Sequence, residues 1–198
     1  MDFASEMVYN SVAKTAHSAK EPLKNLGVEL DLKKLKPPYP VISYQRALDI
    51  LDSEGFHFQY GKSFGVKEEA VISKQFDRPV WVKAMPRSVE PFPYKIDQSD
   101  SRATRTADLL APHGYGEILG TAEKIDNVPD LLARMKEKKV SPARIKKYKW
   151  YIELRENGSV PHCGLGMGLE RLLRWTLGLP RVIDTIPFPR LYGRVPYP

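Results

Sequence analysis

Cysteine and histidine are both scarce in this chain. Its single cysteine, Cys163, excludes an internal disulfide and a thiolate metal cage, and it favours a reducing compartment. The four histidines stand at positions 17, 57, 113 and 162, and no zinc-binding spacing connects them. His162 and Cys163 are adjacent, but neighbouring side chains on a strand point to opposite faces, so they do not form a Cys–His nucleophilic pair. We therefore predict that Cys163 is a small core residue.

Long apolar runs are missing as well. No stretch approaches the roughly 20 apolar residues that a membrane span needs, and the first ten residues show no basic segment followed by an apolar one. We expect a cytoplasmic protein with no membrane partner. Its content of 42% apolar and 28% charged residues is that of an ordinary globular chain, and its 198 residues suffice for one domain with a sizeable core.

Negative charge is in the minority. The net charge of +7 favours polyanionic partners such as nucleic acids. The excess is partly concentrated between Arg134 and Lys149, where eight Lys or Arg side chains accompany one Glu and Arg155 follows just beyond. A solvated helix face explains such a stretch equally well, so both interpretations stay open.

Helical and strand patterns are mixed along the chain. Residues 1–36 form a weakly amphipathic helical segment, and the prolines from position 37 onward separate it from a core at 37–198. Within that core, strands are predicted at 78–85, 104–110 and 115–121, and helices after Ser43, after Asn127 and from Ser141 towards Arg155. Because regular βαβ alternation is absent, we predict an α+β fold with an antiparallel β-sheet flanked by helices.

The stretch from Val160 to Pro180, VPHCGLGMGLERLLRWTLGLP, contains three regularly spaced glycines. On a strand, Gly164, Gly166 and Gly168 share one bare face, while the alternate side chains share the other. A strand is predicted to pass into a helix near Met167, with Arg171 as a planar cation beside the bare face. A nucleotide would suit this arrangement, but so would close approach of another strand beside a solvated arginine.

Two familiar phosphate loops do not explain these glycines. A dinucleotide fingerprint needs glycine at position 169, which is leucine, and a P-loop needs a Gly-Lys-Ser/Thr sequence that is absent. Two acids, Asp108 and Glu117, lie on either side of the predicted turn at 112–114. If their side chains converge, they suit Mg²⁺, which binds few protein oxygens and completes its shell with water and phosphate.

Several segments resemble class II aminoacyl-tRNA synthetases. GLGMGLERLLRW resembles their motif three, and the terminal IDTIPFPRLYGRVPYP resembles the asparaginyl branch. KWYIELRENGSVPHCG and ADLLAPHGYGEILG are similar to asparaginyl segments too, so the resemblance extends from about Pro40 to the C-terminus. It implies a partial class II synthetase catalytic fold that uses ATP and Mg²⁺. Arg171 would contact the γ-phosphate, the three glycines would form the adenine floor, and Glu117 with Asp108 would hold Mg²⁺.

The chain also departs from the family pattern. The anticodon-binding barrel, motif one and motif two are not recognisable, so we expect one truncated domain over 1–198 that begins just after motif two. In EILGTAEKI, Lys124 replaces the arginine that recognises the substrate side chain in the family. Lysine keeps the charge but loses the bidentate fork, which leaves selection between aspartate and asparagine open. A solvated lysine at a strand end is the alternative.

Three functions fit these observations. The first is a truncated asparaginyl-tRNA synthetase-like protein that binds ATP and adenylates aspartate or asparagine, incomplete as a ligase by itself. The second is a component of a tRNA-independent asparagine synthetase. The third is a non-catalytic regulatory paralogue that binds RNA or protein. The expected partners are ATP, aspartate or asparagine, tRNA, and either further copies of the chain or a separate chain supplying the missing half.

Overall fold

The structure is a computed structural model that describes residues 1–193. Its centre is a five-stranded sheet in the order β1 to β5. The strands are β1 (Val41–Ser43), β2 (Val80–Lys83), β3 (Thr106–Ala111), β4 (Gly116–Lys124) and β5 (His162–Met167). β1 pairs with β2 in parallel, and every other pair is antiparallel. The predicted α+β fold is confirmed, while the short parallel strand β1 was not predicted.

Nine α-helices and one 3₁₀ helix accompany the sheet within residues 1–193. They are α1 (Asp2–Ser18), α2 (Lys20–Asn25), α3 (Leu32–Leu35), α4 (Tyr44–Ser53), α5 (Val66–Lys74), α6 (Val128–Glu137), α7 (Pro142–Lys147), α8 (Lys149–Glu156), α9 (Leu169–Thr176) and the 3₁₀ helix Val182–Thr185. None of these helices is long and apolar enough to cross a membrane. The C-terminal segment that resembles the asparaginyl branch extends to Pro198, and residues 194–198 of it lie outside the described part.

One side of the sheet, which we call the α1 face, packs against the N-terminal helix. Ala4, Val8 and Val12 recur every four residues, so they form one stripe that is buried against Trp81 and Leu109. The Trp81 indole N–H donates a hydrogen bond to Ser5 Oγ at 2.9 Å, which fixes the helix in register. The helical segment 1–36 therefore shares a core with the sheet.

The opposite side, which we call the site face, packs against α4 and α5. Helix α4 begins as predicted, because Ser43 Oγ accepts the Arg46 N–H at 3.1 Å. Helix α5 was not predicted, since it begins at a glycine instead of a side-chain cap. Its start is marked by Glu68, whose carboxylate accepts the Gly65 N–H at 2.8 Å.

A third cluster joins α6, α7 and α8. Leu131 and Met135 of α6 are fully buried against Ile125 and the helices that follow. The single helix predicted from Ser141 towards Arg155 is in fact two, because Tyr148 turns the chain and places its ring 5.1 Å from that of Phe92. The two helices pack against Ile125, the residue that follows the end of β4.

Candidate functional site

The glycine strand lies where the sequence predicts it. Strand β5 ends at Met167 and α9 begins at Leu169, with Gly166 opposite Gly120 and Gly164 opposite Ala122. A Cβ added at Gly166 would meet no atom within 4 Å. Gly120 and Gly166 therefore form a strip of bare backbone on the site face, which is open at Gly166 and bordered by two acid side chains at Gly120.

Gly164 and Gly168 are bare for a different reason, because each makes room for a cation. A Cβ at Gly164 would lie 3.0 Å from Cε of Lys124, and one at Gly168 would lie 3.2 Å from Cδ of Arg171. Both distances are shorter than ordinary van der Waals contact. Lys124 beside Gly164 and Arg171 beside Gly168 thus place a positive side chain on either side of the open position at Gly166.

Arg171 lies at the edge of this strip. Its Nη1 donates to the Glu117 carbonyl at 2.8 Å and lies 3.3 Å from the Glu117 carboxylate. The helix that carries it is anchored by the buried side chains of Leu172 and Thr176. About half of the Arg171 side chain stays exposed, so the guanidinium is held in direction and is accessible to a ligand.

The two predicted acids converge beside the same strip. The point where a Cβ would stand on Gly120 is 3.1 Å from Asp108 Oδ1 and 3.3 Å from Glu117 Oε1. In a regular strand, Glu117 and Gly120 would face opposite sides. A β-bulge at this point adds Ile118, so that Leu119 pairs with Leu109 and Glu117 with Leu110. The bulge therefore brings Glu117 to the site face.

Two further acids, Glu69 and Glu90, were missed by the sequence analysis. Together with Asp108 and Glu117 they line a cavity of about 160 Å³. Glu69 comes from α5 and accepts the Glu117 N–H at 3.0 Å. No sequence pattern links these four acids, because they come from four separate segments. The local sequence signal for one of them is the pair of adjacent acids, Glu68 and Glu69, in the first turn of α5.

Burial and mutual repulsion govern the charge of this cluster. Burial, and then the carboxylates of Glu117, Glu90 and Glu69, raise the pKa of Asp108 to about 8. Burial also raises the pKa of Glu69 and of Glu90. Such a cluster attracts cations. Among residues 1–193, however, no three His, Cys, Asp or Glu side chains are grouped as metal ligands, so any metal would rest on a carboxylate pair.

Lys124 is partly buried and contacts an aromatic ring, so the alternative of a solvated lysine does not describe it. Its Nζ lies 3.9 Å from the centre of the Tyr94 ring, a cation–π contact. Burial lowers the pKa of Lys124, while the negative charge of Glu90 raises it. The ammonium group is therefore held against Tyr94 and beside Gly164, where the charge of Glu90 acts on it.

The prediction for Cys163 is wrong, since its side chain is exposed. Cys163 and Leu165 point to the α1 face, where they border a larger cavity of about 680 Å³ instead of a packed core. Within residues 1–193, β5 has a sheet neighbour on one side alone. The sequence shows which residues share a face but not whether another element covers that face.

The basic stretch between Arg134 and Lys149 contains both buried and exposed side chains. Arg134 is only 2% exposed, and Lys138 donates hydrogen bonds to two backbone carbonyls, so neither belongs to a free basic face. Arg155 is buried too, with its Nε donating to the Ile125 carbonyl at 3.1 Å. The basic side chains that remain exposed are Lys136, Lys139, Arg144, Lys146, Lys147 and Lys149. Trp150 lies next to them and is 60% exposed.

Comparison with known proteins assigns the chain to a family. The chain matches the family of class II tRNA synthetases (D, K and N) over residues 1–192. It therefore belongs to the class II tRNA synthetases.

Within that family the similar proteins are asparagine–tRNA ligases. The chain is 41% identical to the one of Pyrococcus abyssi and 39% identical to that of Desulforamulus reducens, over its full length in both cases. It covers 45% and 46% of these two relatives, so it spans less than half of their length.

Solved structures agree. The asparaginyl-tRNA synthetase from Pyrococcus horikoshii superposes with a TM-score of 0.92 at 40% identity, covering all of this chain and 46% of that one. The same synthetase complexed with asparaginyl-adenylate gives the same TM-score, with 45% of that chain covered. The chain is thus an asparaginyl-tRNA synthetase-like protein that corresponds to part of such an enzyme.

Proposed function

We propose that this chain forms one side of an ATP and amino-acid site of the asparaginyl-tRNA synthetase type. The observation that carries the proposal is the strip of bare backbone at Gly120 and Gly166, open at Gly166, with Arg171 at its edge and the carboxylates of Asp108 and Glu117 beside it. A flat base fits against bare backbone, and a half-exposed guanidinium fits a phosphate. Adenine would lie on the glycine strip, and Arg171 would bind the γ-phosphate.

Mg²⁺ fits the acid pair. Asp108 and Glu117 each direct one carboxylate oxygen at the same point above Gly120, and two protein carboxylates suffice for an ion that keeps water and phosphate oxygens as its other ligands. When bound, the ion would neutralise phosphate charge. The carboxylates of Glu69 and Glu90 would then increase the local attraction for the ion without being its ligands.

The reaction that such a site serves is attack of an amino-acid carboxylate on the α-phosphorus of ATP, which gives an aminoacyl-adenylate and pyrophosphate. Positioning and charge neutralisation contribute most to this kind of step. Arg171 would stabilise charge on the departing pyrophosphate, and Lys124 would contact the amino-acid side chain. We infer that this chain supplies the nucleotide contacts of such a site; it spans 45% to 46% of the two asparagine–tRNA ligases compared above. Asparagine- or aspartate-dependent pyrophosphate exchange tests the chemical step.

Substitution of Gly166 by valine tests the adenine floor. A Cβ at Gly166 meets no protein atom within 4 Å, so the fold should be retained while the valine side chain covers the strip. We expect ATP affinity, measured by calorimetric titration in Mg²⁺, to fall at least tenfold, which corresponds to about 1.4 kcal/mol. Cys163→Val is the matched control, because it enlarges the opposite face of the same strand. Equal affinity in Gly166→Val and wild type would contradict the assignment of the floor.

RNA binding is a second candidate function, and the exposed basic side chains around Trp150 favour it. Lys and Arg bind phosphates and an exposed tryptophan stacks on unpaired bases, so this surface suits tRNA. The surface is compatible with a synthetase and with a regulatory paralogue that has no catalytic activity. Amino-acid-dependent pyrophosphate exchange is expected from a synthetase and not from a regulatory paralogue, so this assay distinguishes the two.

A gel shift with tRNA at two salt concentrations tests the basic surface. We expect retardation at 50 mM salt that weakens steeply at 200 mM, because counterions are released from the phosphates on binding. The double variant Lys146→Glu with Lys147→Glu should lose at least tenfold in affinity at low salt. The same reversal at the exposed Lys14 and Lys20 is the control. Absence of retardation at 50 mM salt would remove RNA as a partner.

A further inference from the structure

The loop after β2 places one acid, Glu90, in the wall of the acidic cavity. Glu90 faces this cavity together with Asp108, and its N–H donates to the Pro86 carbonyl at 3.3 Å in a tight turn. No sequence motif and no part of the family resemblance singled out this position. The contacts of this turn with helix α6 nevertheless hold it in a fixed position.

Helix α6 holds the turn through two basic side chains. Arg134, almost completely buried, places its Nη2 3.4 Å from the carbonyl oxygens of both Arg87 and Glu90. Lys138 Nζ donates to the Arg87 carbonyl at 2.9 Å and to the Ser88 carbonyl at 2.6 Å. Four contacts to the three backbone carbonyls of Arg87, Ser88 and Glu90 thus fix the turn from which the Glu90 side chain extends.

The guanidinium of Arg87 ties the same turn to α6 from the outside. It approaches both carboxylate oxygens of Glu137, at 2.6 to 3.1 Å, in a bidentate ion pair. Arg134 Nη1 lies 2.6 Å from the same carboxylate. The turn is therefore clamped on both sides, and Glu90 is preorganised and not a mobile surface acid.

The loop that carries Glu90 also contacts Lys124, a side chain of opposite charge, through Tyr94. The Tyr94 ring holds the Lys124 ammonium at 3.9 Å, and Tyr94 lies four residues after Glu90 in the same loop. Lys138, and then Lys124, lower the pKa of Glu90 against the stronger raising effect of its burial. Glu90 in the cavity wall and Lys124 beside Gly164 thus present an anion and a cation that influence each other, both partly removed from water.

We propose that Glu90, positioned by α6, is a specificity-determining residue that acts with Lys124 to select a side-chain amide over a carboxylate. An amide offers one acceptor oxygen to Lys124 and an N–H donor to Glu90. A substrate carboxylate would satisfy Lys124 but would place a second negative charge against Glu90. This inference rests on the proposed amino-acid site and narrows its substrate from aspartate or asparagine to asparagine.

Two stable adenylate analogues test the inference directly. Asparaginyl and aspartyl sulfamoyl-adenosine share the adenosine part and differ only in the side-chain group. We expect wild type to bind the asparaginyl analogue at least tenfold more tightly in calorimetric titrations. Glu90→Gln should reduce this ratio about tenfold, mainly through tighter binding of the aspartyl analogue. Glu156→Gln, which neutralises an exposed acid on α8, should leave the ratio unchanged.

A conservative variant separates selectivity from folding. Glu90→Asp keeps the negative charge, so it should retain most of the preference for the amide even if its overall affinity falls. Thermal melts of both variants show whether the clamped turn survives. Failure of wild type to bind either analogue would overturn the proposed function and this inference together. If both analogues bind and Glu90→Gln keeps the wild-type ratio, the inference alone is overturned.

Discussion

Replacement of Arg171 by alanine is expected to weaken ATP binding about 10- to 100-fold while leaving AMP binding almost unchanged. A charge-assisted hydrogen bond from a guanidinium to a phosphate contributes on the order of 1.5–3 kcal/mol. AMP has no γ-phosphate, so it does not lose this contact. Calorimetric titrations of wild type and variant with each nucleotide, in the presence of Mg²⁺, measure the two effects separately.

The comparison of ATP with AMP also distinguishes loss of the γ-phosphate contact from a general distortion of the site. Arg171 is paired with Glu117 in the structure, so its removal leaves that carboxylate without its partner. A general distortion of the site would weaken both nucleotides equally, and that outcome would contradict a γ-phosphate contact. Arg46→Ala, which removes an exposed arginine from α4, is the control for the loss of one positive charge.

Replacement of Asp108 by asparagine is expected to stabilise the fold, and increasingly so as the pH rises. The pKa of Asp108 is about 8 in the folded chain against an ordinary value of 3.8. Between these values the folded state holds a proton that the unfolded state has released, so wild-type stability falls as the pH increases towards 8. Asparagine does not titrate. The gap in free energy of unfolding between variant and wild type should widen by on the order of 3 kcal/mol from pH 5.5 to 8.5.

Thermal melts in the presence of a chelator measure this gap. For a chain of this size, 3 kcal/mol corresponds to a widening of about 10 °C in the difference between the two melting temperatures. Asp49→Asn, at an exposed position on α4, should show no such pH dependence. Parallel melting curves of wild type and Asp108→Asn across this pH range would show that Asp108 is not held protonated by its surroundings.

The glycine strand is the part of the site that sequence alone predicts best. Alternation of glycine with larger residues specifies a strand with one bare face, and the helical spacing after Met167 specifies where the strand ends. Both features are local, so the positions of Gly166 and Arg171 follow without knowledge of the rest of the fold. Ser43 and Asn127 likewise cap their helices as predicted, because capping depends on a few neighbouring residues.

The acidic cluster could be predicted only in part. The pairing of β3 with β4 follows from the turn between them, but convergence of Asp108 and Glu117 depends on the bulge at Ile118. A bulge is a one-residue difference in register that neither strand shows by itself. Glu69 and Glu90 come from α5 and from a clamped turn, and their places depend on tertiary packing.

Two predictions failed for the same physical reason. Cys163 was assigned to the core and Arg134 to a basic stretch from their neighbours in sequence, yet Cys163 is exposed and Arg134 is buried. Burial of a residue depends on the element that covers it. For Arg134 that element is the turn at 86–90, which lies more than 40 residues away in the chain.

Equilibrium dialysis of labelled ATP against the 198-residue chain, with Mg²⁺ and with Gly166→Val as the blank, measures the proposed one-sided ATP site most directly. We predict saturable binding of one ATP per chain that is at least tenfold weaker in Gly166→Val. Absence of saturable ATP binding to wild type, or equal binding by both proteins, would show that the glycine strand and Arg171 do not form a nucleotide site in this chain.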